Sequence, residues 1–285
     1  MQRLLLFAVI LYVTDVNTLQ RKNFKVGQCT LQGERKYSPE SSLCSSSTKL
    51  RNALTDPARL WDNGRVPYVF NGTFTDRERR IMKKVMDLYK YYTCIEFVPK
   101  TENDRFYVRI INEVDKCCSE VGKVISGSPN IVELGPSCFQ EEAGAIIHEF
   151  MHLIGFHHEH SRSDRNRYIK LIPANMDPEF SKEFERKFGD TFNLPYDYDS
   201  VMHYGTYHGA IHYPLESFSV NDASVMKSRL GQICGFSKLD ITKINILYKC
   251  PQKTAQLNLQ DDLLYGVDIS TAGEVKYFIE NCLTC

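Results

Sequence analysis

Five of the chain's eight histidines fall within thirteen residues, HEFMHLIGFHHEH from His148 to His160, and the other three follow at His203, His208 and His212. His148 and His152 are four apart, so on a helix they stand one above the other and can offer two imidazole nitrogens to one metal ion. Glu149 is turned about 100° from His148 around such a helix, so its carboxylate can reach a water on the metal without being a ligand. Gly155, three residues past His152, suits the left-handed backbone conformation that ends a helix and turns the chain back. His158 then supplies a third nitrogen. Three neutral imidazoles leave a position of a zinc ion open for water, as a catalytic site requires and a closed structural site does not. A bare pair of histidines four apart is most often a surface or packing feature, whereas the full spacing H-E-x-x-H-x-x-G-x-x-H is far more demanding. His157 and His203 receive no metal role in this reading, and His160 is assigned a supporting or structural one.

The elements that must position these residues are legible in outline. Ala143, Ile147, Met151 and Ile154 recur at helical spacing, which places the HEFMH segment on a helix with its other face buried. Thr75-Asp76-Arg77-Glu78 has the form of a capping box and opens a helix with apolar residues at Ile81, Val85, Leu88 and Tyr92. VPYVF at residues 66–70, CIEFVPK from Cys94 and FYVRIIN from Phe106 are β-branched and aromatic runs of strand length. There is no internal repeat.

Composition narrows the partners. Lys plus Arg equals Asp plus Glu at 35 each, so no global field favours nucleic acid or an anionic membrane surface. At 42% hydrophobic and 25% charged, the chain of 285 residues is ordinary for a globular protein of one or two domains. Its ten cysteines suit an exported protein. Arg3 followed by the apolar run Leu4–Val13 has the layout of a secretory signal peptide, assigned to residues 1–18. Ten apolar residues are too few to span a bilayer, and no later segment is apolar enough to be a membrane anchor. Export would make Asn71-Gly72-Thr73 a usable glycosylation acceptor. Residues 21–51 are polar, without sustained period, and read as linker or pro-segment.

The extended stretch HEFMHLIGFHHEHSRSDRNRY resembles the signature of the astacin family of metzincin zinc metalloproteases, with Glu159, His160, Arg162, Asp164 and Arg165 at the family's positions after the third histidine. DSVMHYG from Asp199 is similar to that family's methionine turn. LWDNGRVPY at Leu60, TCIEFVP at Thr93, CCSEVG at Cys117 and LYKC at Leu247 also match, so the resemblance covers roughly residues 52–250. It implies an α+β fold of metzincin type, with an N-terminal subdomain of a twisted mixed sheet and two long helices, an irregular C-terminal subdomain, and an active-site cleft between them. It implies one Zn2+ per chain on His148, His152 and His158, with Tyr204 as a fifth ligand at rest that swings to stabilise the oxyanion, and Glu149 as general base and acid. Met202 becomes the hydrophobic floor under the metal, since a thioether is a poor zinc ligand. The implied disulfides are Cys94–Cys250 and Cys117–Cys138. Cys118, Cys234, Cys282 and Cys285 stay unassigned. The expected protein is a secreted endopeptidase acting on protein or peptide substrates, with signal peptide 1–18, pro-segment 19–51, catalytic domain 52–250 and C-terminal extension 251–285. Two alternatives are an inactive binding protein on the same fold and a zinc hydrolase acting on something other than peptides.

The same resemblance implies a zymogen. An activating protease would cut after Lys49-Leu50-Arg51, and the new terminus at Asn52 would insert and reach Glu159. Family pro-segments place an aspartate from a Phe-x-Gly-Asp element on the zinc. Leu31-Gln32-Gly33-Glu34 is the nearest match here and makes Glu34 the expected zymogen ligand. Cys29 is the rival, because a thiolate binds zinc well, although it can equally pair with Cys44. The uncleaved Glu34→Ala chain is expected to be active before any processing while uncleaved Cys29→Ala stays silent. Activity in the cysteine variant alone would identify the other switch.

Overall fold

The structure is a computed structural model that describes residues 53–140, 143–187 and 189–251. The expectations placed on the signal peptide, on the pro-segment with Glu34 and Cys29, on Asn52 and on nearly all of the C-terminal extension lie outside these residues. Among the described residues no helix is long and apolar enough to cross a membrane.

A five-stranded mixed sheet forms the first half. It is built from β1 (Arg65–Phe70), β2 (Glu96–Pro99), β3 (Val108–Ile111), β4 (Cys117–Ser119) and β5 (Asn130–Leu134), in the order β2-β1-β3-β5-β4. β1, β2, β3 and β5 run parallel to their neighbours, and β4 closes the edge antiparallel to β5. The central strand β3 buries Val108, Ile110 and Ile111, as expected for a strand covered on both faces. Between β1 and β2 runs α1 (Asp76–Tyr92), opened by the expected capping box in which Thr75 and Glu78 satisfy each other's backbone N–H. Asn71, in the loop before α1, is exposed.

The helix that carries the histidines, α2 (Gly144–Leu153), has ten residues, all buried. Aromatic rings lock it to α1 and the sheet. The Phe97 and Phe150 rings stack at 4.7 Å, Tyr89 packs edge-on to Phe97 at 5.6 Å, and Tyr89 Oη donates to the Ile147 carbonyl at 2.8 Å. The C-terminus of α2 follows the logic of its glycine. Gly155 sits at φ +108°, its N–H donates to His152 O, and Phe156 N–H donates to Met151 O. That pair of bonds is the Schellman arrangement, which satisfies the last carbonyls of a helix and reverses the chain. α2 is thereby shorter than the 17-residue α1.

After the histidine motif regular structure is sparse. A two-stranded antiparallel ladder, β6 (Ile169–Leu171) with β7 (Phe218–Val220), anchors a second apolar cluster of Ile169, Met176, Phe184, Tyr196, Tyr204, Phe218 and Leu230. The last helix, α3 (Lys238–Leu247), returns to the first core through Ile241 and Ile244. It is fastened there by the Cys94–Cys250 disulfide and by Asn245 Nδ2 donating to Tyr92 O. Cys117 is bonded to Cys138, and Cys118 and Cys234 are disulfide-bonded as well.

The first residue of α2 must be glycine on packing grounds. A Cβ on Gly144 would lie 1.4 Å from the Ile233 carbonyl oxygen, which cannot be relieved by rotating a side chain. Gly144→Ala is expected to lower unfolding free energy by about 3 kcal/mol, the upper part of the usual overpacking cost. Urea unfolding followed by tryptophan fluorescence measures this directly, and an unchanged midpoint would contradict the close approach.

Candidate zinc site

The three histidine rings converge. His148 Nε2 and His152 Nε2 lie 3.2 and 3.1 Å from His158 Nε2, and among the described residues these three form a group able to hold a metal ion. The far nitrogens of two rings are occupied, since His148 Nδ1 donates to Val201 O and His152 Nδ1 to Phe156 O, each at 2.7 Å. Those bonds select the tautomer that turns the Nε2 lone pair inward. Burial pushes the His148 imidazole down to about 4 and those of His152 and His158 well below their ordinary value, so all three are neutral donors at pH 7.

This donor set fits zinc. Tetrahedral bonds of about 2.0–2.1 Å place ligand nitrogens about 3.3 Å apart, close to the separations from His158. Two further groups are otherwise hard to explain. Both carboxylate oxygens of Glu149 and the hydroxyl of Tyr204 are buried with no hydrogen-bond partner, which costs about 1–3 kcal/mol or more per group unless something occupies the space they face. Burial pushes the Glu149 carboxyl well above its ordinary value.

Tyr204 belongs to the turn after Met202 and comes within 4.6 Å of the His158 ring, measured between centroids. His160 and His208 both stack on its ring, at 3.9 and 5.1 Å. The position of His160 thus becomes specific, because it is wholly buried and also stacks on His158 at 5.0 Å. His203 points elsewhere and bonds through Nε2 to Tyr196 Oη at 2.7 Å. Met202 is buried in the first core.

Behind the site lies a buried charge network. Glu159 Oε1 accepts from Arg162 at 2.9 Å and from the Asp197 N–H at 2.9 Å, and Oε2 accepts from Lys243 at 2.8 Å. Arg162 also grips Asp164 with two bonds of 2.9 Å. On α3, Asp240 accepts from Ser200 Oγ and Val201 N of the methionine turn. Burial pushes the Asp240 carboxyl up, and Lys243 with these hydrogen bonds opposes it. Sequence reasoning singled out Glu159, Arg162 and Asp164 and missed Lys243, Asp197 and Asp240. Ser237-Lys238-Leu239-Asp240 has the S-x-x-D capping form that could have drawn attention to Asp240. Lys243, in the middle of that helix, leaves no such trace.

The fold and the three-histidine centre together define a metallopeptidase of metzincin type. The model of the astacin family of peptidases matches residues 53–249, and the chain belongs to that family. Zinc metalloproteinase nas-13 of Caenorhabditis elegans is 36% identical over 213 residues, covering 72% of this chain and 44% of that protein. Zinc metalloproteinase nas-8 of Steinernema carpocapsae is 36% identical over 206 residues, covering 70% and 47%. The solved structure of high choriolytic enzyme 1, a hatching enzyme zinc protease of the medaka Oryzias latipes, aligns with a TM-score of 0.60 at 31% identity, over 74% of this chain and 100% of that one. The chain spans about half the length of these curated relatives.

Asp197 gives the network a measurable pH signature. Burial pushes its carboxyl up to about 7, Asp240 and Glu159 act in the same direction, and Lys243 opposes them. In the unfolded chain an aspartate titrates near about 3.9, so between these values the folded state holds a proton that the unfolded state has lost. Stability therefore falls as pH rises through that window. Asp197→Asn removes the effect, and its denaturation midpoint relative to wild type is expected to improve steadily from about pH 4.5 to about pH 7.5. A constant difference across that range would show that Asp197 is ionised throughout.

Proposed function

We propose that this chain is a secreted zinc endopeptidase, made as a zymogen, that hydrolyses peptide bonds within protein substrates. One observation carries the reading. Three buried imidazole nitrogens converge, with His148 Nε2 and His152 Nε2 within 3.2 Å of His158 Nε2, and Glu149, adjacent to the first of them in sequence, is a buried carboxylate without a hydrogen-bond partner among the described residues.

His148, His152 and His158 would hold the metal, and zinc bound there would supply Lewis acidity toward the scissile carbonyl and lower the pKa of a water toward about 7. Glu149 takes the proton from the attacking water and returns it to the leaving amine. Tyr204 stays protonated because burial pushes its phenol well above the ordinary value, and its hydroxyl donates to the carbonyl oxygen as negative charge grows there. At rest the same hydroxyl would join the residues that hold the metal. No nucleophilic side chain is needed, and Met202 provides apolar support beneath the site.

Activation follows from Glu159. An activating protease cuts after Arg51, and the new amino terminus at Asn52 approaches the Glu159 network. The neighbouring backbone supports this route. Ala53 is buried, its N–H and C=O pair with Asp190, and the next residue donates its N–H to Gly155 O, just after α2. Amino-terminal sequencing of active protein that began far from Asn52 would count against it. Secretion also leaves the exposed Asn71 as a glycan acceptor.

Denatured casein or gelatin separates this reading from an inactive binding protein and from a hydrolase of other substrates. Processed wild-type protein is expected to cleave it and to lose that activity to a chelator. Glu149→Gln is expected to retain about one zinc per chain by atomic absorption while hydrolysis falls at least about a hundredfold. Near-normal turnover in this variant would remove Glu149 from the mechanism.

A further inference from the structure

The orientation of His148 traces back, bond by bond, to a carboxylate on a different element. Its Nδ1–H donates to the carbonyl of Val201 at 2.7 Å. The N–H of that same peptide unit belongs to Met202 and donates to Ser200 Oγ at 3.1 Å. Ser200 Oγ in turn donates to Asp240 Oδ1 at 2.6 Å. The other carboxylate oxygen accepts from Val201 N at 2.9 Å and from Ser237 N at 3.1 Å. Ser200 and Asp240 are both fully buried, and Asp240 is held from its own side by the capping box of α3.

The chain of donors runs in one direction, from imidazole to peptide to hydroxyl to carboxylate. Each bond polarises the next, so an anion at one end makes the carbonyl at the other a stronger acceptor. A stronger acceptor on Nδ1–H fixes the ring and raises the electron density of Nε2, as a carboxylate does when it bonds a metal-bound histidine directly. The turn at 200–204 has no ladder of its own to hold the 201–202 peptide plane. We propose that Ser200 and Asp240 are positioning residues for the zinc centre, acting on His148 through the Val201–Met202 peptide. The inference rests on the reading that the three histidines hold zinc, and neither residue touches substrate.

The test is metal affinity in the folded full-length chain, by competition with a chromophoric chelator, together with the visible spectrum of the cobalt-substituted protein. Ser200→Ala cuts the relay with minimal change in volume. It is expected to weaken zinc binding about tenfold, the lower end of what outer partners of metal-bound histidines contribute, and to shift the cobalt bands. Asp240→Asn keeps the size and removes the charge, and is expected to weaken binding in the same direction. Thr75→Ala is the control, because it removes the capping hydroxyl of a different helix, α1, lowers the melting temperature, and touches no atom of the relay. Its zinc affinity is expected to stay within about twofold of wild type, well below the outer-partner effect. Wild-type affinity and cobalt spectrum in Ser200→Ala would overturn the proposal, as would an equal loss in Thr75→Ala. If Asp240→Asn fails to fold, Ser200→Ala decides alone. Zinc binding without cleavage of casein by the wild type would sink the peptidase reading and leave this result standing on its own measurement.

Discussion

The carboxylate of Glu159 is the point on which the second half of the molecule hangs. It is wholly buried, directly follows the third histidine, and takes bonds from Arg162, Lys243 and the backbone of Asp197. These three donors come from three places: the loop after the motif, the last helix, and the segment leading into the methionine turn. A charge withdrawn from water is tolerated only when partners surround it, and removing one partner of such a pair typically costs about 3–5 kcal/mol. Folding must therefore bring all three segments to Glu159 together, and in doing so it sets His158 opposite His148 and His152. The main-chain bond from Glu159 N–H to Met202 O adds a direct tie between motif and turn.

Around this centre, aromatic stacking takes the role that regular structure has elsewhere. The second apolar cluster has a ladder of only three residues per strand, yet Tyr204 lies in contact with the rings of His158, His160, His208 and Phe184. These neighbours set the orientation of the ring in this structure. Its hydroxyl is buried without a hydrogen-bond partner among the described residues.

Local chemistry was the legible part of the sequence. The three converging histidines could be read because helical spacing and a helix-ending glycine are local signals, and Gly155 adopts the positive φ that such an ending requires. The start of α1 was readable for the same reason, through Thr75 and Glu78. Family resemblance, rather than spacing, supplied Tyr204 and the disulfide pairs. What neither revealed was partnership across distance. Lys243 and Glu159 are 84 positions apart, and nothing near either residue specifies the other. The stacking of His160 on Tyr204 is similarly a product of two turns that only tertiary packing aligns. The close approach of Ile233 to Gly144 was hidden too, because nothing in the apolar run preceding His148 discloses it.

The fastening of α3 onto the first core bears on how the chain comes off the ribosome. A nascent chain that has emerged only as far as Tyr204 already holds all three histidines, Glu149 and the tyrosine. It still lacks Lys243 as counter-charge for Glu159, and Cys94 has no Cys250 with which to close. Order of synthesis thus runs against order of assembly. The metal-binding residues are made before the segment that stabilises their surroundings, so the second half of the domain completes its packing only after Cys250 has cleared the exit tunnel. Until then the three histidines and Cys94 lack the contacts that the segment from Tyr204 to Cys250 brings to them, so the last helix completes the surroundings of residues made long before it.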